Sequence, residues 1–356
     1  MSQPELHQFL TGATSGDAIT EQALLMRQWL RDLGFASDIY AWHIHPDLAA
    51  EIRPLTSYRR GRNERWAIYR HSIGSEVPDY LAGHDLRLIL IYHNITPPAF
   101  FDGIDPMRAR LARLGLEQLH NLRSQTGLAL ADSAFNAADL SRAGVTDVAV
   151  LPIALEAARY QLPLNAGLAG TLKAGGANLL FIGRLAPNKR QEDLVRLLFC
   201  LRRIRPAAHL YLVGDRWAVG YDRWVEQLAD ELGVRDGLTL TGKVAQQDMI
   251  TYLKSADCYV SMSEHEGFGV PLIESMYLGL PIVAYSATAV PDTLGMGGIL
   301  FHRKDFEALA ELIDFLLAGQ PLRDRVVACQ KERAETFLEP QVKTLFVDYL
   351  AKVGLA

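Results

Sequence analysis

The chain has 356 residues, with 36 Lys plus Arg against 41 Asp plus Glu and a formal net charge of −5. That length favours two domains, and 49% hydrophobic with 22% charged residues is ordinary for a globular protein, which excludes a disordered or fibrous chain. Near-balanced charge offers no field for wrapping nucleic acid, so no nucleic-acid partner is expected and any anionic ligand must be held by local charge.

Residues 1–10 lack the basic start and apolar run of a secretion signal, and no 18-residue uncharged apolar stretch occurs, so neither export nor a membrane span is expected. Helical periodicity at Ala18 to Leu33, Pro106 to Ser124 and Asn136 to Ala143 alternates with apolar runs at Leu86 to Tyr92, Leu128 to Ala131 and Val148 to Ile153. A second series has strands at Asn178 to Ile182, His209 to Val213, Leu238 to Thr241, Cys258 to Met262 and Pro281 to Ala284. Its helices are expected at Glu192 to Arg203, Tyr221 to Leu232, Gln247 to Ser255 and Val270 to Leu278. Between the two series, Gln161 to Ala177 is rich in Gly and nearly uncharged, and reads as a linker. The pattern is that of two doubly wound α/β domains, residues 1–165 and 172–338. An amphipathic C-terminal helix within 339–356 either stays on the second domain or crosses back to the first.

Cys200, Cys258 and Cys329 are odd in number and have no CxxC spacing, which speaks against a disulfide framework or zinc cage and fits a reducing, cytoplasmic compartment. Lys is absent before Lys173, and Arg is dense between Arg53 and Arg70, with Tyr58, Trp66 and Tyr69 interleaved. Arg59, Arg60 and Arg62 are read either as a surface for an acceptor phosphate or anionic lipid headgroups, or as a solvated loop and helix face. His43 and His45 have a metal-like spacing without carboxylate support and read as structural; no metal is expected.

In open α/β sheets, ligands bind beyond the carboxyl ends of strands. After the strand ending at Ile182 come Gly183, Arg184, Lys189 and Arg190. Gly183 allows a tight exit, and Arg184 and Lys189 place two cations on one short loop, which reads either as a solvated turn or as the paired charge that a diphosphate requires. After Met262 comes Ser263-Glu264-His265-Glu266-Gly267-Phe268-Gly269-Val270-Pro271-Leu272-Ile273-Glu274. Its Gly-x-Gly turn opens a helix whose N–H groups favour anions and hydroxyls, and Glu266 and Glu274 either grip two ends of one sugar-bearing ligand or are a first-turn dipole acid and a surface helix residue.

The Arg184-x4-Lys189 loop, followed in order by Glu266-x7-Glu274 in EGFGVPLIE, resembles the donor site of the retaining GT-B glycosyltransferases of family four. Gly12 to Ala18 resembles the Gly-containing loop opening that family's first domain, and Tyr92-His93-Asn94 its strand-end histidine. The resemblance implies the GT-B fold, two Rossmann-like doubly wound domains facing a cleft. It implies transfer of a hexose, with retention, from a UDP- or GDP-linked sugar to a glycan or lipid-linked acceptor. Arg184 and Lys189 would bind the diphosphate and Glu266 a sugar hydroxyl, helped by Gly267, Phe268, Gly269 and Val270. Glu274 would take the ribose, His93 would sit beside the sugar, and Gly16 would approach the phosphates. The base would be met near Val244. The nucleotide-sugar would be a co-substrate, with no metal or other cofactor, and the protein would be cytoplasmic with peripheral membrane contact as one option. A GT-B epimerase or phosphorylase and a catalytically silent sugar-nucleotide binder are the alternatives.

Overall fold

In the run Leu88-Ile89-Leu90-Ile91-Tyr92 every side chain is buried, because a strand sends successive residues to opposite faces and here both faces are covered. Leu88, Leu90 and Tyr92 join Phe9, Tyr69 and Ala129 in one cluster, while Ile89 and Ile91 join Ile68, Leu128 and Leu130 in another. A computed structural model of the chain describes residues 3–62, 64–216 and 220–355. It divides into two units, Met1–Asp102 with Pro106–Ala154 and Pro340–Ala356, and Leu155–Glu339 with Gly103–Asp105.

The first unit holds seven strands: β1 (His7–Ala13), β2 (Ile39–Ile44), β3 (Arg53–Pro54), β4 (Trp66–His71), β5 (Arg87–Tyr92), β6 (Thr126–Ala131) and β7 (Val148–Val150). They are ordered β3-β2-β1-β4-β5-β6-β7, with every pair parallel. The C-terminal helix Glu339–Lys352 belongs to this unit's core through Val342, Phe346 and Leu350, with the Phe346 ring 6.0 Å from that of Trp29.

The second unit is a six-stranded parallel sheet of β8 (Asn178–Ile182), β9 (His209–Val213), β10 (Leu238–Gly242), β11 (Cys258–Ser261), β12 (Ile282–Tyr285) and β13 (Ile299–Phe301), in the order β10-β9-β8-β11-β12-β13. Its helix Gln191–Ile204 buries Leu194, Leu197, Leu198 and Leu201, the i, i+3, i+4, i+7 stripe of a helix lying on a sheet.

Two expectations are corrected. The stretch read as a linker contains the helix Ala166–Ala174, capped by Asn165 Oδ1 accepting from Leu168 N–H at 3.3 Å and seated by buried Ala169 and Leu172. Asn165 Nδ2 also donates to Asp248 Oδ1 at 2.8 Å, so a Gly- and Ala-rich segment becomes helical through tertiary contacts. The Arg53 to Arg70 patch is also not one surface: Tyr58, Tyr69 and Arg70 are buried, and residues 66–71 are a central strand. Arg59, Arg60 and Arg62 do lie exposed.

Candidate functional site

In the second sheet β8 and β11 are neighbours, yet the chain runs outward from β8 through β9 to β10 and, from β11, the other way through β12 to β13. The strand order therefore reverses between β8 and β11, and open sheets bind ligands beyond the carboxyl ends of the strands at such a reversal. Residues 183–190 and 262–269 are the two loops leaving those ends.

The first loop is pinned by its backbone. Gly183 N–H donates to Val213 O and Leu185 N–H to Asp215 O, each at 2.9 Å, and Gln191 Nε2 donates to Arg184 O at 2.9 Å, leaving the Arg184 side chain exposed. Buried Asn188 ties the loops together: its carbonyl accepts from Glu264 N–H at 2.9 Å, and its Nδ2 donates to His265 O at 3.1 Å. Next along the chain, Lys189 Nζ reaches Glu266 Oε2 at 2.5 Å, with both side chains largely buried. A charge pair at this distance out of bulk water is strongly coupled.

Thr288 holds Glu266 from the other side, its Oγ1 accepting from Glu266 N–H at 2.8 Å and donating to Glu266 O at 2.9 Å. Thr293 Oγ1 donates to Phe268 O at 2.7 Å. Gly269 has φ of +91°, where a side chain is strained, and a Cβ there would come 2.8 Å from Leu272 Cδ1; glycine lets the chain turn into the helix Val270–Leu278. Glu274 on that helix is buried, and its Oε1 accepts from Tyr160 Oη–H at 2.7 Å. Burial raises the Glu274 pKa, partly offset by that hydrogen bond. His265 is pushed down to about 4, chiefly by burial, and is neutral at neutral pH. Half-buried Val244 follows β10, the edge strand.

The structure thus brings Lys189 and Glu266 together, with Arg184 on the same loop as Lys189 and Glu274 farther along the helix that follows Glu266. Sequence reasoning missed Asn188, Thr288, Thr293 and Tyr160, neutral polar residues whose role depends on tertiary hydrogen bonds.

In the first unit the order reverses between β1 and β4. Gly16 lies in the loop after β1, at φ of +76°, its N–H donating to Glu21 Oε1 at 3.2 Å, and Asp17 caps the helix Ala18–Asp32. His93 follows β5, with Nδ1 2.8 Å from Asp132 Oδ2 and Nε2 3.2 Å from Arg70 Nη1. A guanidinium only donates, so His93 Nε2 accepts and Nδ1–H donates to Asp132. Both ring nitrogens are committed within this unit. Arg70 also donates to Gln8 Oε1 at 3.1 Å and Gln22 O at 3.2 Å, and burial lowers its pKa to about 10, although Asp132 opposes the shift.

Glu5, His7 and Glu64 bring potential metal-ligand atoms together, the one such cluster among the described residues. His7 Nδ1 accepts from Asp38 N–H at 3.0 Å, so Nε2, which faces Glu5, carries the proton and has no lone pair for a cation. The cluster does not fit a metal.

Residues 170–333 match the family model for "Glycosyl transferases group 1". The D-inositol 3-phosphate glycosyltransferase of Stackebrandtia nassauensis is 32% identical over 167 residues, 44% of this chain and 37% of that protein. A Mycobacterium tuberculosis protein named GDP-mannose-dependent alpha-(1-6)-phosphatidylinositol monomannoside mannosyltransferase is 29% identical over 156 residues, 41% of this chain and 39% of that one. The match spans only between a third and two fifths of these curated relatives. Anabaena Alr3699/HepE, solved with UDP-glucose, superposes with a TM-score of 0.77 at 18% identity, covering 98% of this chain and 99% of that one. The chain therefore has the GT-B fold, and the residues that match the group 1 glycosyl transferase model lie in its second unit.

Proposed function

We propose that this chain is a retaining, metal-independent glycosyltransferase that moves a hexose from a UDP- or GDP-linked donor to a hydroxyl of a glycan or lipid-linked acceptor. The observation that carries the reading is the meeting of Lys189 and Glu266 at the β8/β11 switch point. A cation suited to a diphosphate and a carboxylate suited to a sugar hydroxyl stand side by side there, with Arg184 on the same loop. The names of the two relatives support glycosyl transfer, and UDP-glucose in HepE beside GDP-mannose dependence in the mycobacterial relative supports both bases as options.

In the reaction proposed, the acceptor oxygen bonds to the anomeric carbon while the bond from that carbon to the β-phosphate oxygen breaks. The acceptor proton passes to the departing phosphate oxygen, so no protein nucleophile is needed. Arg184 and Lys189 stabilise the charge growing on the diphosphate, and N–H groups of the 267–270 turn bind polar groups of the donor. Glu266 orients the sugar, and Glu274 the ribose. Arg59, Arg60 and Arg62 are assigned to a phosphate-bearing acceptor or the membrane surface, and the site of action to the cytoplasmic side.

A panel of UDP- and GDP-sugars, each offered with and without glycan or lipid-linked acceptors, tests this through release of nucleoside diphosphate. Acceptor-stimulated release from one donor is expected. Binding of nucleotides without release across the panel would make the protein a silent binder instead.

A further inference from the structure

Next to Lys189 in the chain, Arg190 anchors an ion network. Arg190 sits at φ +54° and ψ +45°, left-handed backbone that is costly for a residue with a Cβ. Its guanidinium lies 3.0 Å from Glu192 Oε1, 3.3 Å from Asp193 Oδ2 and 3.4 Å from Glu264 Oε1. Lys304, arriving from beyond β13, has its Nζ 2.9 Å from Asp193 Oδ2, 2.8 Å from Glu264 Oε1 and 4.8 Å from the centre of the Tyr285 ring. Arg196 completes the set at 2.6 Å from Asp193 Oδ1.

Glu192 and Asp193 are almost fully buried in the first turn of the helix Gln191–Ile204, and Glu264 stands two residues before Glu266. Counted together, Glu192, Asp193, Glu264 and Glu266 face Lys189, Arg190, Arg196 and Lys304, four carboxylates against four cations. Removing one cation would leave a net negative charge next to the loop proposed to hold a diphosphate. The penalty falls on an anionic ligand in proportion to its charge and barely on a neutral one. Burial pushes the Asp193 carboxyl up, but Lys304 and the two arginines outweigh it and hold it below its ordinary value.

We infer that Arg190 and Lys304 are positioning residues of the donor site, which neutralise Asp193 and Glu264 so that no uncompensated negative charge faces the loop that takes the diphosphate. This rests on the proposed reading of the Arg184–Lys189 loop as the diphosphate loop. A role confined to folding would weaken nucleoside and nucleotide binding alike, whereas charge compensation weakens only the charged ligand.

The test is calorimetry on the full chain with UDP and GDP and with uridine and guanosine, for wild type, Lys304→Met, Lys304→Arg, Arg190→Gly and Lys189→Ala. Arg190→Gly removes the guanidinium while relieving the left-handed strain, so it keeps the test open if Lys304→Met folds poorly. Expected are a fall of about 10-fold in nucleoside diphosphate affinity for Lys304→Met and Arg190→Gly, affinity for the nucleoside within about 2-fold, and recovery in Lys304→Arg. Equal losses for nucleotide and nucleoside, or none in either variant while Lys189→Ala does weaken the nucleotide, would overturn the inference alone. No effect of Lys189→Ala either would overturn the diphosphate-loop reading with it.

Discussion

Lys189 Nζ and Glu266 Oε2 lie 2.5 Å apart, so the cation assigned to the diphosphate and the carboxylate assigned to the sugar are each other's partner. A donor engaging both must insert between them or replace the contact with two of its own. The pair thereby sets the cost of admitting a ligand that satisfies only one of them.

Glu266→Gln is the direct probe of that competition. With the charge on residue 266 gone, Lys189 is released, and a nucleoside diphosphate lacking sugar is expected to bind about 3- to 10-fold more tightly by calorimetry. Turnover of the complete donor is expected to fall about 100-fold, because the sugar loses its ionised acceptor. Weaker nucleoside diphosphate binding in Glu266→Gln would show that the pair does not compete with the diphosphate.

Tyr160 and Glu274 make a second prediction. The Tyr160 hydroxyl favours the ionised Glu274 carboxylate, which burial disfavours, so Tyr160→Phe raises the Glu274 pKa further. A carboxylate that must be ionised to accept from ribose hydroxyls supports activity above its pKa and loses it as pH falls through that value. The acid limb of kcat/KM is therefore expected to move to higher pH in Tyr160→Phe, with donor affinity at neutral pH down about 5-fold, the scale of one net hydrogen bond. An unmoved acid limb would remove Glu274 from donor binding.

Stability should decline in acid for a reason located in both units. Burial pushes His71 and His265 down to about 4, so each is neutral in the fold while the unfolded chain takes up a proton below about 6.5. The stability this contributes is present above pH 6.5 and lost as pH falls toward 4, by roughly 3 kcal/mol for each histidine over the full shift. His71 Nε2–H donates to Gly115 O at 2.8 Å and Nδ1 faces Tyr69 Oη at 3.0 Å, so the neutral ring is fully partnered. Urea midpoints across this range and histidine NMR titrations check it. A His71 ring that titrates near 6.5 in the folded protein would contradict it.

Phe346 tests the placement of the C-terminal helix. Its side chain is fully buried in the first unit's core, so Phe346→Ala is expected to cost about 3 to 5 kcal/mol of that unit's stability. Nucleotide affinity at the second unit's loops should stay within about 2-fold. Denaturant unfolding alongside calorimetry reads both quantities.

The second unit was far more legible in the sequence than the first, and the reason lies in strand chemistry. NLLFI, HLYLV and CYVS are largely apolar runs of the kind a doubly covered sheet produces, and the expected bounds agree with the observed strands to within a residue. In the first unit, β1, β2 and β4 read HQFLTGA, IYAWHI and WAIYRH. They carry Gln8, Arg70 and His71 into the core, where Arg70 is satisfied by Gln8 and His93, and His71 by Gly115. Buried polar side chains break the hydrophobic period, so only tertiary partners make those strands recognisable. Charged members of the candidate site were found because like residues cluster after strand ends. Thr288, Thr293, Asn188 and Tyr160 were not, since a neutral side chain shows its function only when its hydrogen-bond partner is known.

The most direct measurement of the central claim is steady-state turnover of the identified donor by wild type, Arg184→Ala and Lys189→Ala, each confirmed as folded. If these two cations stabilise the departing nucleoside diphosphate, each substitution lowers kcat by about 100- to 1,000-fold, the scale of losing one oxyanion donor. Turnover unchanged in both variants would contradict the assignment of the 183–190 loop to the diphosphate.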